Sequence, residues 1–158
     1  MAFRLGFFVL LLVTAVTAGA ETLDGRIDRV VDGDTLMVLD GSNRQRAIRL
    51  LGIDAPELTQ EFGQKALSGL SRLTAGQPVT AECHRLGPTD LCRVRIGGKD
   101  IALELVREGM AWWNPQHAGL QTNEERADYQ QAEFNAKIHR LGLWNSKNPV
   151  PPWQWRLP

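Results

Sequence analysis

The amino-acid sequence predicts an α+β fold in which a five-stranded Greek-key β-barrel carries about three α-helices. The first observation is a set of short runs rich in Val, Ile, Leu and Thr, separated by turn signals such as Asp32-Gly33, which is typical of β-strands. The predicted strands cover residues 23–31, 35–39, 46–51, 79–85 and 91–96. The second observation is their order. Three strands, a helix and then a hairpin is the order of barrels of the oligonucleotide/oligosaccharide-binding (OB) type.

Three segments have helical rather than strand periodicity. Residues 62–73 place their apolar side chains on one helical face, and residues 101–107 do the same. A third helix is predicted to begin near Thr122, because Thr122 and Glu125 have the spacing of a capping box. It is expected to run to about Leu141.

The first twenty residues have the pattern of a secretory signal peptide. Arg4 precedes an apolar run over residues 5–13, and Ala18-Gly19-Ala20 is a typical cleavage sequence. A membrane anchor, the alternative, needs about 20 apolar residues. We therefore expect residues 1–20 to be a signal peptide and the protein to be exported, either periplasmic or secreted, with no membrane contact after cleavage.

The remaining composition is that of one globular domain followed by a short tail. A chain of 158 residues suits a single domain. Lys and Arg total 18, as do Asp and Glu, so the net charge is zero and a polybasic protein that binds nucleic acid nonspecifically is excluded. The domain is expected to span residues 21–145 and to be a monomer. The Pro- and Trp-rich C-terminal tail, residues 146–158, is expected to be irregular or extended from residue 148 onward.

The two cysteines of this exported chain are candidates for a disulfide bond. Cys83 and Cys92 flank Gly87-Pro88, and a chain reversal there would place the two cysteines opposite each other on antiparallel strands. Directly opposed residues have the Cα separation that a disulfide needs. The alternative is a pair of buried, reduced thiols in the same strand pair.

Two segments concentrate the residues that could carry chemistry. The first is Val31-Asp32-Gly33-Asp34-Thr35, and the second runs from Ile48 to Glu57 and contains Arg49 and Asp54. Two or three carboxylates together with carbonyls and water make a site for a hard cation such as Ca²⁺ or Mg²⁺. Arg49 adds a forked donor suited to phosphate. These residue types leave a second interpretation open, a solvated turn with a surface salt bridge.

The histidines and the tail tryptophans do not form a recognisable site. His84, His117 and His139 lack the spacing of a metal site or a catalytic triad and are expected at the surface. Trp153 and Trp155 have two interpretations, because they could pack on the protein's own surface or in the groove of a partner.

At these motifs the chain resembles the staphylococcal nuclease (thermonuclease) family. The resemblance follows the chain in order through residues 31–35, residues 48–57, residues 102–113 and Leu141-Gly142-Leu143-Trp144, and residues 48–57 (IRLLGIDAPE) are its most specific part. It implies an OB-type barrel and Ca²⁺-dependent hydrolysis of phosphodiester bonds in DNA and RNA.

The resemblance also implies roles for individual residues. Asp34 and Asp54 correspond to the carboxylates that bind Ca²⁺, and Ala55 would contribute its backbone carbonyl. Arg49 resembles the arginine that grips the scissile phosphate. Glu57 resembles the carboxylate that orients or deprotonates the attacking water.

The chain departs from the family pattern between the last two barrel strands. Family members carry a second catalytic arginine there, in an Asp-Arg-Tyr-Gly-Arg-like segment, whereas this chain has His84-Arg85-Leu86-Gly87-Pro88-Thr89-Asp90. Arg85 and Arg93 are the nearby arginines and are the candidate substrate-binding residues. An arginine that meets developing charge in phosphoryl transfer can contribute about 10³–10⁵ in rate, so reduced activity is expected.

Two other classes of function stay open for this sequence. One is a catalytically inactive member of the family that binds nucleic acid or a protein. The other is a disulfide-stabilised interaction domain in which Asp34 and Asp54 only shape turns.

Overall fold

The structure is a computed structural model in which residues 20–157 are described. The predicted signal peptide lies outside the described residues, apart from its last residue, Ala20. Within the described part, no helix has the length and apolar character needed to cross a membrane.

The five predicted strands and three predicted helices are present in the predicted order among the described residues. Three two-residue strands, a short C-terminal α-helix and two 3₁₀-helices were not predicted. The strands are β1 Glu21–Val30, β2 Thr35–Asp40, β3 Gln45–Leu50, β4 Ile53–Asp54, β5 Pro78–His84, β6 Asp90–Ile96, β7 Lys99–Asp100 and β8 Trp112–Trp113. The helices are α1 Gly63–Thr74, α2 Ile101–Arg107, α3 Asn123–Ile138 and α4 Pro152–Trp155, with 3₁₀-helices at Pro115–Leu120 and Gly142–Asn145.

Five of these strands close into the predicted barrel. The antiparallel order is β3-β2-β1-β5-β6, and β3 pairs in parallel with β6 to complete the ring. Strand β1 pairs with β2 along one edge and with β5 along the other, so that Gly25 faces both Asp40 on β2 and Val79 on β5. A Cβ atom at Gly25 would lie 2.3 Å from the Leu39 carbonyl oxygen, so only glycine fits at this position of β1.

The barrel interior and the helices share one hydrophobic core. Alternate side chains of β2 and β3 point inward, which is the period-two pattern seen in the sequence. Helices α1 and α2 cover the barrel and bury their own apolar faces against it. The largest fully buried aliphatic side chains are those of Leu36, Val38, Ile48, Leu50, Ile53, Leu70, Val94, Leu105 and Val106.

Helix α3 begins at the predicted capping box and ends three residues earlier than expected. The Glu125 backbone N–H donates to the Thr122 hydroxyl at 3.1 Å, and the Thr122 N–H donates to the Glu125 carboxylate at 2.8 Å. The helix ends at Ile138, because Arg140 has a φ of 51° in the left-handed region and cannot continue it.

The predicted disulfide between Cys83 and Cys92 is present. The two residues are directly paired in the β5–β6 ladder, and their Cα atoms are 4.1 Å apart. The chain reverses through residues 85–89 rather than through Gly87-Pro88 alone, but the register is the one that the sequence indicated. In the chain-entropy account, a closed loop of about ten residues adds about 2.7 kcal/mol of stability.

The C-terminal tail packs on the protein's own surface. The expectation of a wholly irregular tail was wrong, because Pro152–Trp155 forms the short helix α4. Pro152 is fully buried, and the Trp153 ring meets the Trp112 ring edge-on with centroids 5.8 Å apart. The Gln60 side-chain amide also donates to the Val150 carbonyl. These contacts anchor the tail beside β8 and show that Trp153 packs on the protein's own surface, whereas Trp155 is 48% exposed.

Candidate active site

A polar cleft of about 400 Å³ lies at one rim of the barrel, where β1, β3 and β4 end. Asp34, Arg49, Ala55 and Glu57 line it, and Asp54 contacts two of its lining arginines. The structure therefore brings together the five residues of the two motifs that were predicted to form the site. The β5–β6 loop, residues 86–89, forms the opposite wall.

The turn between β1 and β2 is shaped by its own aspartate and glycine. The Asp32 carboxylate accepts from the Asp34 backbone N–H at 3.0 Å, which is an Asx-type turn. A Cβ atom at Gly33 would lie 2.6 Å from the Ala55 Cβ and 2.7 Å from the Ala66 Cβ. Glycine thus lets the turn pack directly against the segment after β4, which brings Asp34 close to Asp54.

Asp34 is a buried carboxylate with four donors. Its oxygens accept from Arg49 Nε at 3.1 Å and Nη2 at 3.0 Å, from the Thr35 hydroxyl at 3.0 Å and from the Ala55 N–H at 3.1 Å. The residue is only 4% exposed. Burial raises the pKa of the Asp34 carboxyl to about 6, although the Arg49 guanidinium favours the ionised form.

Asp54 lies on the other side of the same guanidinium. It is 1% exposed and accepts from Arg49 Nη2 at 2.7 Å. Its carboxylate also accepts from both terminal nitrogens of Arg156, with Nη1 at 3.2 Å. Because Arg49 Nη2 contacts both carboxylates, Asp34 and Asp54 are held next to each other with Arg49 between them.

Glu57 is more accessible than the two aspartates. Its side chain is 35% exposed, and its Oε1 accepts from Arg156 Nη1 at 2.6 Å. The Glu57 backbone N–H donates to the Gln60 side chain at 3.1 Å, which fixes the loop that carries it. Oε2 of Glu57 has no hydrogen-bond partner among residues 20–157, so it is available to accept a proton.

Two polar side chains from outside the predicted site motifs also line the cleft, those of His117 and Arg156. The expectation that His117 is a surface residue was wrong, because it is half-buried and its Nδ1 accepts from the Gly52 N–H at 3.1 Å. Burial, together with the nearby Arg49 charge, lowers the pKa of His117 and so favours its neutral imidazole. Arg156 comes from the tail, and its hydrogen bond to Asp54 raises its pKa.

The structure does not bring Arg85 and Arg93 to the cleft. Strand pairing places Arg93 opposite Glu82, and its guanidinium is paired with Glu82 at 2.7 Å and with Glu125 at 2.6 Å. Arg85 is exposed and is paired with Glu21 at 2.9 Å. The part of the loop that does line the cleft, Leu86-Gly87-Pro88-Thr89, is uncharged.

The side-chain acceptors at the rim are carboxylate oxygens, the ligand type that hard divalent cations prefer. Among the described residues no three Asp, Glu, His or Cys side chains form a metal cluster. The candidate ligands are the Asp34 and Asp54 carboxylates, which in this structure accept from Arg49 and, for Asp54, also from Arg156. Oxygen ligands of this kind, completed by water, are those that Ca²⁺ uses. The raised pKa of Asp34 indicates a buried charge that a nearby cation would stabilise.

The fold and the cleft define a class of protein, an OB-type barrel with adjacent buried carboxylates and forked arginine donors suited to phosphate. Comparison with known proteins identifies the family within that class. The sequence profile described as "Staphylococcal nuclease homologue" matches residues 47–146. The chain belongs to the staphylococcal nuclease family.

Similarity to individual proteins extends over almost the whole chain. An uncharacterized endonuclease of Haemophilus influenzae is 37% identical over 153 residues, which cover 94% of this chain and 82% of the relative. A micrococcal nuclease of Shigella flexneri is 37% identical over 157 residues, covering 92% of this chain and 86% of the relative. The protein ParB of Escherichia coli is 33% identical over 156 residues, covering 92% and 85%.

The tight packing at Gly33 is testable by substitution. Gly33→Ala should destabilise the protein by about 1–3 kcal/mol, because its new Cβ overlaps two neighbouring methyl groups. Gly41→Ala is the matched control, since a Cβ there meets no atom within 4 Å. Denaturant unfolding of both variants measures the effect. Equal stability of the two variants would contradict the close packing of the turn.

Proposed function

We propose that this chain is an exported, monomeric, Ca²⁺-dependent nuclease that hydrolyses phosphodiester bonds in DNA and RNA. The observation that carries the proposal is the pair of buried carboxylates, Asp34 and Asp54, joined by Arg49 in a cleft that also contains Glu57. Membership of the staphylococcal nuclease family supports nuclease chemistry. The signal-peptide pattern and the disulfide support export.

The two aspartates and the Ala55 carbonyl would hold Ca²⁺. When bound, the ion would supply positive charge that polarises a phosphate oxygen. Ionised aspartates are needed for this, and their burial keeps the local dielectric low, so that charge interactions in the cleft are stronger than in water. Water and substrate oxygens would complete the coordination.

In this proposal Arg49 would bind the phosphate of the substrate. Its Nε and Nη2 groups donate to the aspartates, which orient the guanidinium, while both N–H bonds of Nη1 have no acceptor among residues 20–157. These donors would bind the non-bridging phosphate oxygens and stabilise the charge that grows on them in the transition state.

Glu57 is the general base in this proposal. Its unpartnered Oε2 would accept a proton from the attacking water, whose oxygen forms a bond to phosphorus as the bond to the leaving oxygen breaks. The salt bridge between Oε1 and Arg156 keeps the carboxylate oriented. The proton is then passed to the leaving oxygen or to solvent.

A second candidate function keeps the cleft but not the reaction. The uncharged cleft wall at residues 86–89 favours a protein that binds nucleic acid or a protein partner without cleaving it. Binding of an oligonucleotide with no turnover, in protein that is folded and saturated with Ca²⁺, would identify this function.

Replacement of the proposed base separates catalysis from binding. Glu57→Gln should reduce kcat by about 10²–10⁴, the usual contribution of general acid–base catalysis. Binding of Ca²⁺ and of single-stranded DNA should change by less than about threefold, because the amide is nearly isosteric and its oxygen can still accept from Arg156. Glu124→Gln, on the exposed first turn of α3, is the control and should keep the wild-type rate. A wild-type rate in Glu57→Gln would rule out this role.

The raised pKa of Asp34 predicts how Ca²⁺ binding depends on pH. A protonated carboxyl cannot bind the ion, and its pKa near 6 means that protons compete below about pH 6, rather than near pH 4 as for an ordinary aspartate. The Kd for Ca²⁺ should therefore rise about tenfold per pH unit below 6 and stay constant above 7. Calorimetric titration without substrate measures it. Asp34→Asn should bind more weakly and lose this dependence, whereas a constant wild-type Kd between pH 5 and 7 would contradict the assignment.

A further inference from the structure

The C-terminal tail contributes one side chain to the cleft. Arg156 lines the same cleft as Arg49 and Glu57, although 102 positions separate it from Asp54. It contacts Asp54 through both terminal nitrogens and Glu57 through Nη1. The sequence places no other tail cation near this position, because residues 149–155 (PVPPWQW) are uncharged.

Arg156 is held in place by the fold of the tail. The N–H groups of Trp155 and Arg156 donate to the carbonyls of Pro151 and Pro152, at 3.1 and 3.0 Å, which makes α4 a closed helical turn ending at Arg156. That turn is anchored by the buried Pro152 ring and by the Trp153 contact with Trp112. The guanidinium is therefore positioned by packed residues, as a binding group needs to be.

Part of the Arg156 guanidinium is still available for a ligand. Its terminal edge, Nη1 and Nη2, binds Asp54 and Glu57. An arginine has five N–H donors, and the remaining two here, on Nε and Nη2, have no acceptor among residues 20–157. These two donors form the side edge of the guanidinium, and this forked edge is suited to two oxygens of one phosphate.

The acidic side chains that line the cleft also favour a second cation for the binding of an anionic ligand. Asp32, Asp34 and Glu57 line the cleft, and the cleft wall at residues 86–89 supplies no charge. Among the lining residues that the structure describes, Arg49 and Arg156 are the arginines, so without Arg156 a single guanidinium would face the carboxylates of Asp32, Asp34 and Glu57. Arg156 is 41% exposed at its side chain, so solvent and ligands can reach it.

We propose that Arg156 is a second phosphate-binding residue of the cleft and that, with Arg49, it binds the phosphodiester group of the substrate. This inference rests on the proposed nuclease function for its catalytic consequence. The phosphate contact itself is measurable without turnover. A purely structural ion pair with Asp54 and Glu57 is the competing interpretation.

The test is the salt dependence of oligonucleotide binding. Each phosphate contact on a single strand contributes about 0.7 to the slope of log K against log salt. Fluorescence anisotropy of a labelled single-stranded oligonucleotide, with chelator present to prevent cleavage, gives this slope for wild type, Arg156→Gln, Arg156→Lys and Arg107→Ala. Arg107 is an exposed arginine on α2, paired with Glu104, and is the control.

The proposal makes a distinct prediction for each variant. Arg156→Gln should bind about tenfold more weakly, with a slope smaller by about 0.7. Arg156→Lys keeps the charge and should keep the slope. With Ca²⁺, kcat/KM should fall about 10²–10³ in Arg156→Gln and by less in Arg156→Lys, which lacks the planar fork. Arg107→Ala should match the wild type throughout, and thermal unfolding verifies that each variant is folded.

The outcomes separate this inference from the proposed function. An unchanged slope and affinity in folded Arg156→Gln would overturn the phosphate role, even if the wild type cleaves DNA. A wild type that does not cleave would refute the nuclease proposal, while the slope would still decide the role of Arg156. If Arg156→Gln does not fold, Arg156→Lys decides. A folded lysine variant that keeps the wild-type slope but binds the oligonucleotide severalfold more weakly supports the proposal, because lysine lacks the planar fork. One with wild-type affinity or a reduced slope overturns it.

Discussion

The bridge from Arg49 to Asp34 and Asp54 is the interaction on which the rest of the site depends. Two carboxylates that are 4% and 1% exposed would repel each other strongly without it. Each partner comes from a different element: Asp34 from the turn before β2, Arg49 from β3, and Asp54 from β4. The barrel register and the close packing at Gly33 bring these elements together. Burial makes ionisation of the two carboxylates costly in free energy, and it raises the pKa of Asp34. A cation bound beside them would therefore strongly stabilise their ionised form.

Local sequence patterns predicted the parts of the structure that neighbouring residues determine. The period-two runs became barrel strands because their inward side chains share one core, and Thr122 and Glu125 formed the capping box that their spacing indicated. The pairing of Cys83 with Cys92 followed from hairpin symmetry, since the longer loop is still centred on Gly87-Pro88 and therefore keeps the same residues opposite each other. Asp34, Arg49 and Asp54 could be nominated because they lie in two short motifs at strand ends.

Residues that enter the site through tertiary packing could not be predicted in this way. His117 reaches the cleft through a hydrogen bond to Gly52, 65 positions away, and Arg156 through a tail whose docking depends on Trp112. Arg93 shows the reverse case. It is close in sequence to the departure from the family pattern, yet strand pairing places it opposite Glu82 and away from the cleft. A tail that looks like an irregular appendage is thus part of the site, and a truncation there would remove a charged group from the cleft.

Cleavage of single-stranded DNA by the purified, oxidised protein, measured with Ca²⁺ and with chelator, is the decisive experiment for the proposed nuclease site. Asp54→Asn removes one charge of the bridged pair, and activity remaining in it would reveal contaminating nuclease. Asp128→Asn, on the exposed face of α3, is the matched control for replacing an aspartate by asparagine. We expect the wild type and Asp128→Asn to cleave DNA only when Ca²⁺ is present, and we expect Asp54→Asn not to cleave it. Cleavage that persists in chelator, or at the wild-type rate in Asp54→Asn, would contradict the proposed site, as would an absence of cleavage by the folded wild type at high concentration.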